Sequence, residues 1–369
     1  MESQALIFIP DISGYTKFVT ETENKHSKHI ITELLEAIIN ANTLKLEVSE
    51  IEGDAVLFYR KGEPPELSEL LSQVKEMFLA FHTQIKIIQR DNVCQCGACR
   101  TSVDLTLKFI THFGTLDEIT VQNHSKIMGS DVILAHRLMK NNINENEYLL
   151  LTQKYFSAQN IQSAVLEPWV SFQEHSESFE QFDIVKIQYT PLIKIREEVP
   201  DVSDVKKFDH SNLKPDTTIF IEAPINLVHE ILIDNDAKLN YGTAIKEIRS
   251  DSQINRLNSS HTCVLEDFEI DFVTKSSEVK NKEIYFAEEG QMSIGVAFFT
   301  INRLEEEEKG TILSVKILPA KYTGQIPFLR KLTSRLVSRL IIVKLRKASE
   351  GNAKLLKDYC EKVAREREN

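Results

Sequence analysis

Ala5-Leu6-Ile7-Phe8-Ile9-Pro10-Asp11, continued by Ile12-Ser13-Gly14-Tyr15-Thr16, is the first of two stretches that decide the reading of this chain. The second runs Leu44-Lys45-Leu46-Glu47-Val48, then Ser49-Glu50-Ile51-Glu52-Gly53-Asp54, then Ala55-Val56-Leu57-Phe58-Tyr59. Both contain short apolar runs of strand character, and each delivers one aspartate. Between them, Ile30, Ile31, Leu34, Leu35 and Ile38 recur at helical spacing within residues 26–41. Two such strands paired in one sheet would put Asp11 and Asp54 side by side, a site suited to divalent metal and phosphate chemistry.

Outward from this pair, Pro64-Pro65-Glu66 opens a second helix striped by Leu70, Leu71, Val74, Met77, Phe78 and Phe81. Val103, Leu105, Leu107 and Phe109 alternate as a strand; residues 132–140 read as a helix and 148–152 as another strand. The order β-α-β-β-α-β predicts an α+β, ferredoxin-like sandwich with helices on one sheet face. Phe182 to Ile187 reads as a strand closing a first domain over residues 1–193. A charged stretch over 194–212, with Pro200 inside it and Pro215 shortly after, reads as a linker. A second domain, 213–369, opens with a strand ending at Pro224. A short helix, strand candidates at 244–249, 261–268, 271–280, 283–288, 295–304 and 311–319, and a long helix from about Pro327 follow. Glu305 to Gly310 reads as a hairpin tip.

At 369 residues, two domains are the natural expectation. A composition of 42% hydrophobic and 27% charged residues is that of a globular protein. The net charge of −11 argues against a general nucleic-acid binder. Five cysteines, three within six positions, do not form a secreted disulfide framework. No basic region precedes a long apolar stretch, so no signal peptide is expected, and no run approaches the ~18–20 apolar residues of a membrane span. The expected location is the cytoplasm.

Phe8-Ile9-Pro10-Asp11-Ile12-Ser13-Gly14-Tyr15-Thr16 resembles the opening motif of class III nucleotidyl cyclases, an aspartate followed by Ile-x-Gly-aromatic-Thr. Glu50-Ile51-Glu52-Gly53-Asp54-Ala55-Val56 resembles that family's Gly-Asp hairpin, and His112-Phe113-Gly114 its His-x-Gly. Gly129-Ser130-Asp131-Val132-Ile133-Leu134-Ala135-His136-Arg137-Leu138 resembles its late helix. The resemblance implies that Asp11, the Ile12 carbonyl and Asp54 hold two Mg²⁺ or Mn²⁺ ions for a nucleoside triphosphate. It also implies that Arg137, offered by the partner subunit of a homodimer, steadies the transferring phosphoryl group. The base-reading positions fall at Glu50, where glutamate leans toward guanine, and at Lys126, which departs from the family pattern; the two could equally pair with each other. The family's transition-state asparagine falls at Ile133, and losing one such donor typically costs about two to three orders of magnitude in rate. A slow cyclase, a nucleotide-binding pseudo-enzyme and a cyclase of altered specificity all fit. Without the resemblance, Asp11 reads as a helix cap, Asp54 as a turn residue and Arg137 as a solvated cation.

Residues 213–365 resemble the START-like, helix-grip superfamily, which includes polyketide cyclases and lipid-binding modules. The cues are Ile219-Phe220-Ile221-Glu222-Ala223-Pro224, the antiparallel strand candidates and the long closing helix. The implied fold is a curled antiparallel sheet around a C-terminal helix, with a pocket for an unknown apolar ligand. A non-enzymatic ligand-binding protein that uses the cyclase-like domain as a dimerisation scaffold is therefore the alternative function. Cys94-Gln95-Cys96-Gly97-Ala98-Cys99 is a Cys-x-Cys-x-x-Cys loop, read as a Zn²⁺ site with a fourth ligand such as His82 or His112, as a redox loop, or as solvated thiols. Residues 328–347 are basic, with Phe328, Leu332, Leu336, Leu340 and Val343 on one face, expected to pack on the sheet rather than on a membrane.

Overall fold

The apolar run around Asp11 becomes β1 (Ser3–Ser13), buried without interruption from Ala5 to Ile12. A strand buried at every position from Ala5 to Ile12 is covered on both faces. In this computed structural model residues 3–20, 24–122, 124–159, 167–202, 213–250, 254–322 and 334–368 are described. They fall into two units, Met1–Gln89 with Thr101–Ser203, and Arg90–Arg100 with Asp204–Asn369.

In the first unit, α1 (Tyr15–Thr20) and α2 (Asn24–Asn40) follow β1. Next come β2 (Glu47–Glu52), β3 (Ala55–Lys61) and α3 (Leu67–Asp91). After α4 (Gly97–Thr101) come β4 (Thr106–Val121), β5 (His124–Met128), α5 (Ser130–Leu138), β6 (Tyr148–Thr152) and α6 (Gln153–Ser157). β7 (Gln173–Phe179), β8 (Phe182–Pro191) and α7 (Ile193–Arg196) follow. The sheet runs β2-β3-β1-β4-β6-β8-β7, with β5 paired to β4 off this path. β1 is antiparallel to β3 and β4, while β4 and β6 are parallel. Ile7, Ile9, Leu57 and Ile110 share a core with Val132, Ala135 and Leu138 of α5. On the opposite face the Phe8 ring meets Phe58 and Phe109, with centroids 6.4 and 5.6 Å away. Buried Gln73 of α3 ties down the approach to β2: its Oε1 accepts from the Thr43 and Leu44 N–H groups at 2.7 and 2.8 Å, and its Nε2 donates to the Ala41 carbonyl at 2.7 Å.

The second unit comprises β9 (Thr217–Ile221), α8 (Ile225–Ile233), α9 (Asn235–Tyr241), β10 (Glu247–Ser250), β11 (Ser260–Val264) and β12 (Glu269–Lys280). β13 (Glu283–Met292), β14 (Val296–Glu307), β15 (Gly310–Tyr322) and the 35-residue α10 (Ser334–Glu368) complete it. Its antiparallel sheet runs β10-β11-β12-β13-β14-β15-β9, and α10 packs on β15, β9 and α9. A Cβ at Gly310 would fall 2.2 Å from the Ile221 carbonyl oxygen, so only glycine lets β15 start this close to β9.

Three expectations shift. Arg90–Arg100, read from the sequence as part of the first domain, belongs with the second unit: the Asp91 carbonyl accepts the Leu257 N–H at 2.9 Å and Asn92 bridges Arg256. α7 lies inside the stretch read as linker, with Ile195 and Val199 buried, whereas 203–212 lie outside the described residues. On α10, Leu340 and Val343 are 67% and 63% exposed, and Ile341 and Leu345 are the pair that packs against the core. The helix is rotated by about one residue from the face expected. Phe328, Leu332 and the side chain of Leu336 lie outside the described residues.

Candidate functional site

Strand register assembles the first site. Asp11 stands across from Ala55 of β3 and Lys108 of β4, so Asp54, one residue before Ala55, is its neighbour. The Ile12 N–H donates to the Asp54 carbonyl at 3.0 Å. Gly53, with φ of 63°, takes the left-handed conformation that turns β2 into β3 and delivers Asp54. Burial pushes the Asp11 carboxyl above its ordinary range, against the pull of Lys108. Burial first, and then the charge of Asp11, push Asp54 up to about 6. The two carboxylates thus share one electrostatic field and repel each other. Sequence reasoning missed Lys108. Its Nζ lies 3.2 Å from Asp11 Oδ2 and donates to the Met139 carbonyl at 2.9 Å. A lysine between Leu107 and Phe109 reads as an ordinary outward-facing strand residue, and only the register against Asp11 gives it a role.

The His-x-Gly motif acquires a physical reason. Buried Asp131 at the start of α5 accepts from the Thr115 N–H at 2.8 Å and from Lys154 Nζ at 2.7 Å, and His112 Nε2 lies 3.0 Å from its Oδ1. A Cβ at Gly114 would sit 2.3 Å from that carboxylate, so the glycine makes room for the aspartate. Burial alone would raise the Asp131 carboxyl, but hydrogen bonds from His112, Lys154 and the Thr115 N–H outweigh it and hold it well below the usual range. This network fixes the start of α5 on β4. Further along α5, Ile133 is 51% exposed and Arg137 is exposed as well, so both face away from the buried carboxylates' core.

Glu50 and Lys126 are brought together: Nζ to Oε2 is 2.7 Å. The other Glu50 oxygen, Oε1, is buried with no hydrogen-bond partner among the described residues. Glu50, Glu52 and His136 each place one ligand atom within 4.8 Å of the others, and His136 Nδ1 lies 3.3 Å from Glu52 Oε2.

Cys94, Cys96 and Cys99 converge in the segment Arg90–Arg100, their sulfurs within 4.8 Å of one another and joined by no disulfide. The Cys96 N–H donates to the Cys94 sulfur and the Cys99 N–H to the Cys96 sulfur, both at 3.4 Å. Hydrogen bonding among the thiols, with burial, pushes Cys94 up to about 12 and raises Cys99 as well. The expected fourth ligands are engaged elsewhere. His82 Nε2 lies 2.7 Å from Glu147, which Arg196 also holds at 3.0 Å; His112 bonds Asp131 and Thr152.

A second site, legible in the sequence only as an apolar pocket, is a cavity of about 240 Å³ in the second unit. Phe268, Phe272, Phe298, Val315, Ile317 and Leu345 give it apolar walls. Lys238, buried on α9, points into it, 3.0 Å from Glu288 Oε1 and 3.1 Å from His261 Nε2. An ammonium has only donors, so His261 Nε2 accepts and the ring proton sits on Nδ1. Burial, then the charge of Lys238, depress His261 to about 2, which keeps it neutral. Its ring stacks on Phe272 at 5.3 Å and 15°. A lysine, a histidine and a glutamate 23 and 50 residues apart carry no spacing signal.

Residues 31–148 match the family model described as "Protein of unknown function (DUF2652)". The "Uncharacterized protein Rv2561/Rv2562" of Mycobacterium tuberculosis is 32% identical over 122 residues, which are 33% of this chain and 57% of the relative. Among solved structures, the guanylyl cyclase Cya2 superposes with a TM-score of 0.40 at 14% identity, covering 52% of this chain and 92% of Cya2. The adenylyl cyclase CyaB from P. aeruginosa gives 0.37 at 14% identity, covering 56% and 98%. The guanylate cyclase domain of RhGC from Catenaria anguillulae, in complex with GTP, gives 0.37 at 15% identity, covering 52% and 97%. Among the described residues, no helix is long and apolar enough to cross a membrane.

Proposed function

We propose that the first unit binds a purine nucleoside triphosphate with a divalent cation at Asp11 and Asp54, in a cyclase-like site assembled by two copies of the chain. The observation that carries this reading is the adjacency of two carboxylates on paired strands, where burial first and then the charge of Asp11 raise Asp54 to about 6. Hard oxygen donors of this kind suit Mg²⁺ or Mn²⁺. The local charge is that of two carboxylates less one ammonium, which favours one resident ion in place of the two implied by the resemblance. When bound, a divalent ion supplies charge neutralisation for the triphosphate and acidifies a ribose hydroxyl. Lys108, 3.2 Å from Asp11 Oδ2, offsets part of the pair's negative charge from the β4 side. Glu50 places a carboxylate at the base-reading position, an acceptor for a purine N–H donor that favours guanine. Lys126 holds the same carboxylate through Oε2. Exposed Arg137 is available to the site of a second copy. Ile133 gives no hydrogen bond there, so binding exceeds turnover.

The test is titration of purified protein with GTP, ATP, CTP and UTP in the presence of Mn²⁺, followed by chromatography for a cyclic product. We expect metal-dependent binding with GTP ahead of ATP, slow or no cyclisation, and loss of binding in Asp54→Ala. No metal-dependent binding of any triphosphate overturns the reading.

A second reading concerns the other unit. We propose that it is a helix-grip module whose cavity takes a hydrophobic small molecule, supported by the apolar walls beneath α10. Co-purified ligand detected by native mass spectrometry supports it. No mass shift after incubation with an apolar probe such as octane counts against it.

A further inference from the structure

We infer that the cavity of the second unit selects a compact, uncharged apolar molecule carrying one hydrogen-bonding oxygen, a ketone, ester or alcohol, read by Lys238, Glu288 and His261. This deepens the hydrophobic-ligand reading and rests on it. A purely apolar ligand has no use for a buried polar trio. Placing a lysine and a glutamate 10% and 8% exposed among phenylalanines carries a desolvation cost that their mutual attraction only roughly offsets. Among the described residues, two of the three Lys238 N–H groups bond His261 and Glu288, and the third remains for an acceptor in the cavity. Charge decides the kind of acceptor. Among the described residues lining the cavity, Lys238 and Glu288 alone are charged, and they cancel; His261 is neutral. A carboxylate or phosphate head would leave one uncompensated charge in an apolar enclosure, whereas a carbonyl or hydroxyl leaves the balance at zero. Volume decides the rest. At about 240 Å³ the cavity lies below the ~300–1,000 Å³ usual for ligand pockets, which favours a short chain or a small ring system over a two-chain lipid.

The experiment compares octan-2-one, octan-1-ol, octanoate and octane, matched in chain length, by calorimetry on the full chain. It also uses Lys238→Met/Glu288→Gln, which removes both charges together and leaves no unpaired ion. We expect the ketone and alcohol to bind about tenfold tighter than octane or octanoate. The double variant should bind the ketone no better than octane, with octane binding retained. Octanoate binding tightest, or the ketone and octane binding equally to the wild type, overturns the proposal on the head group. Absence of binding by all four, octane included, overturns the cavity reading beneath it.

An independent observation carries a second proposal: Cys94, Cys96 and Cys99 form a three-thiolate Zn²⁺ site in the second unit. A tetrahedral ion with bonds of ~2.3 Å holds its sulfurs about 3.8 Å apart, and these sulfurs already lie within 4.8 Å of each other. Two of them receive backbone N–H bonds, the second-sphere donors that steady a metal-bound thiolate. Protein purified with reductant and Zn²⁺ is assayed by elemental analysis, and Co²⁺ is substituted to read sulfur-to-metal charge transfer. We expect about one Zn²⁺ per chain, thiolate charge-transfer bands with Co²⁺, and loss of both in the triple serine variant. Equal metal content in wild type and variant, or Co²⁺ bound without thiolate bands, overturns it.

Discussion

Asp54→Asn should stabilise the metal-free protein and abolish its response to Mn²⁺. The folded protein binds the Asp54 proton more tightly than the unfolded chain does, because burial and Asp11 raise the carboxyl from 3.8 to about 6. The penalty on the fold is therefore absent below about pH 4, grows as pH climbs toward 6, and is complete above that. A rise of this size corresponds to about 3 kcal/mol at neutral pH; Asp54 is only half-buried, and solvent screening reduces it to about 1–1.5 kcal/mol. For a unit of this size that is a gain of about 3–5 °C in midpoint for Asp54→Asn at about pH 7.5 with EDTA, vanishing near pH 4. Mn²⁺ at about a hundred times its dissociation constant adds about 2.7 kcal/mol to the wild type and nothing to the variant. Differential scanning calorimetry at the two pH values, with EDTA and with Mn²⁺, measures all four quantities. A variant less stable than wild type at pH 7.5 in EDTA, or stabilised by Mn²⁺ as much as wild type, refutes the shared-field account of the pair.

Gly114→Ala forces a methyl against the Asp131 carboxylate and should cost about 2–4 kcal/mol by breaking the Thr115 and His112 contacts; urea unfolding checks it, and an unchanged midpoint would mean that α5 shifts without cost. Lys108→Gln leaves two uncompensated carboxylates and should raise Mn²⁺ affinity about tenfold at pH 8; a fall in affinity would mean that the ammonium positions Asp11 instead of competing for it. His229, buried on α8 with neither ring nitrogen hydrogen-bonded among the described residues, is depressed by burial from 6.5 to about 4. Its neutral form fits the fold, so this contribution is present above pH 6.5 and lost as pH falls toward 4, about 3 kcal/mol in all. His229→Phe should remove that acid sensitivity, and an acid limb identical in both proteins argues against it.

Local pattern carried most of the fold. The uninterrupted apolar run of β1, the Gly53-Asp54 turn and the helical stripe of α3 each state their conformation within a few residues, and β6 occupies the expected 148–152. The misses are of a different kind. β7, with an exposed, charge-rich pattern, has little hydrophobic alternation to announce it. The one-residue rotation of α10 depends on what lies beneath the helix, which its own sequence does not contain. The same division runs through the sites. Asp11 and Asp54 were legible because each sits in a motif with a turn or strand end of its own. Lys108, and the Lys238–His261–Glu288 trio, are ordinary polar residues until strand register brings them opposite their partners.

The segment Arg90–Arg100 has a consequence for modularity. It is flanked on both sides by residues of the first unit, yet its Asp91 carbonyl and Asn92 complete the edge of the second. The chain therefore passes between the units three times, and the C-terminal module is not a contiguous piece of the gene. A fragment beginning at residue 213 would lack the partner for the Leu257 N–H and all three clustered thiols. Recombination at the linker would not transplant a finished module, so the two halves are bound to be inherited together.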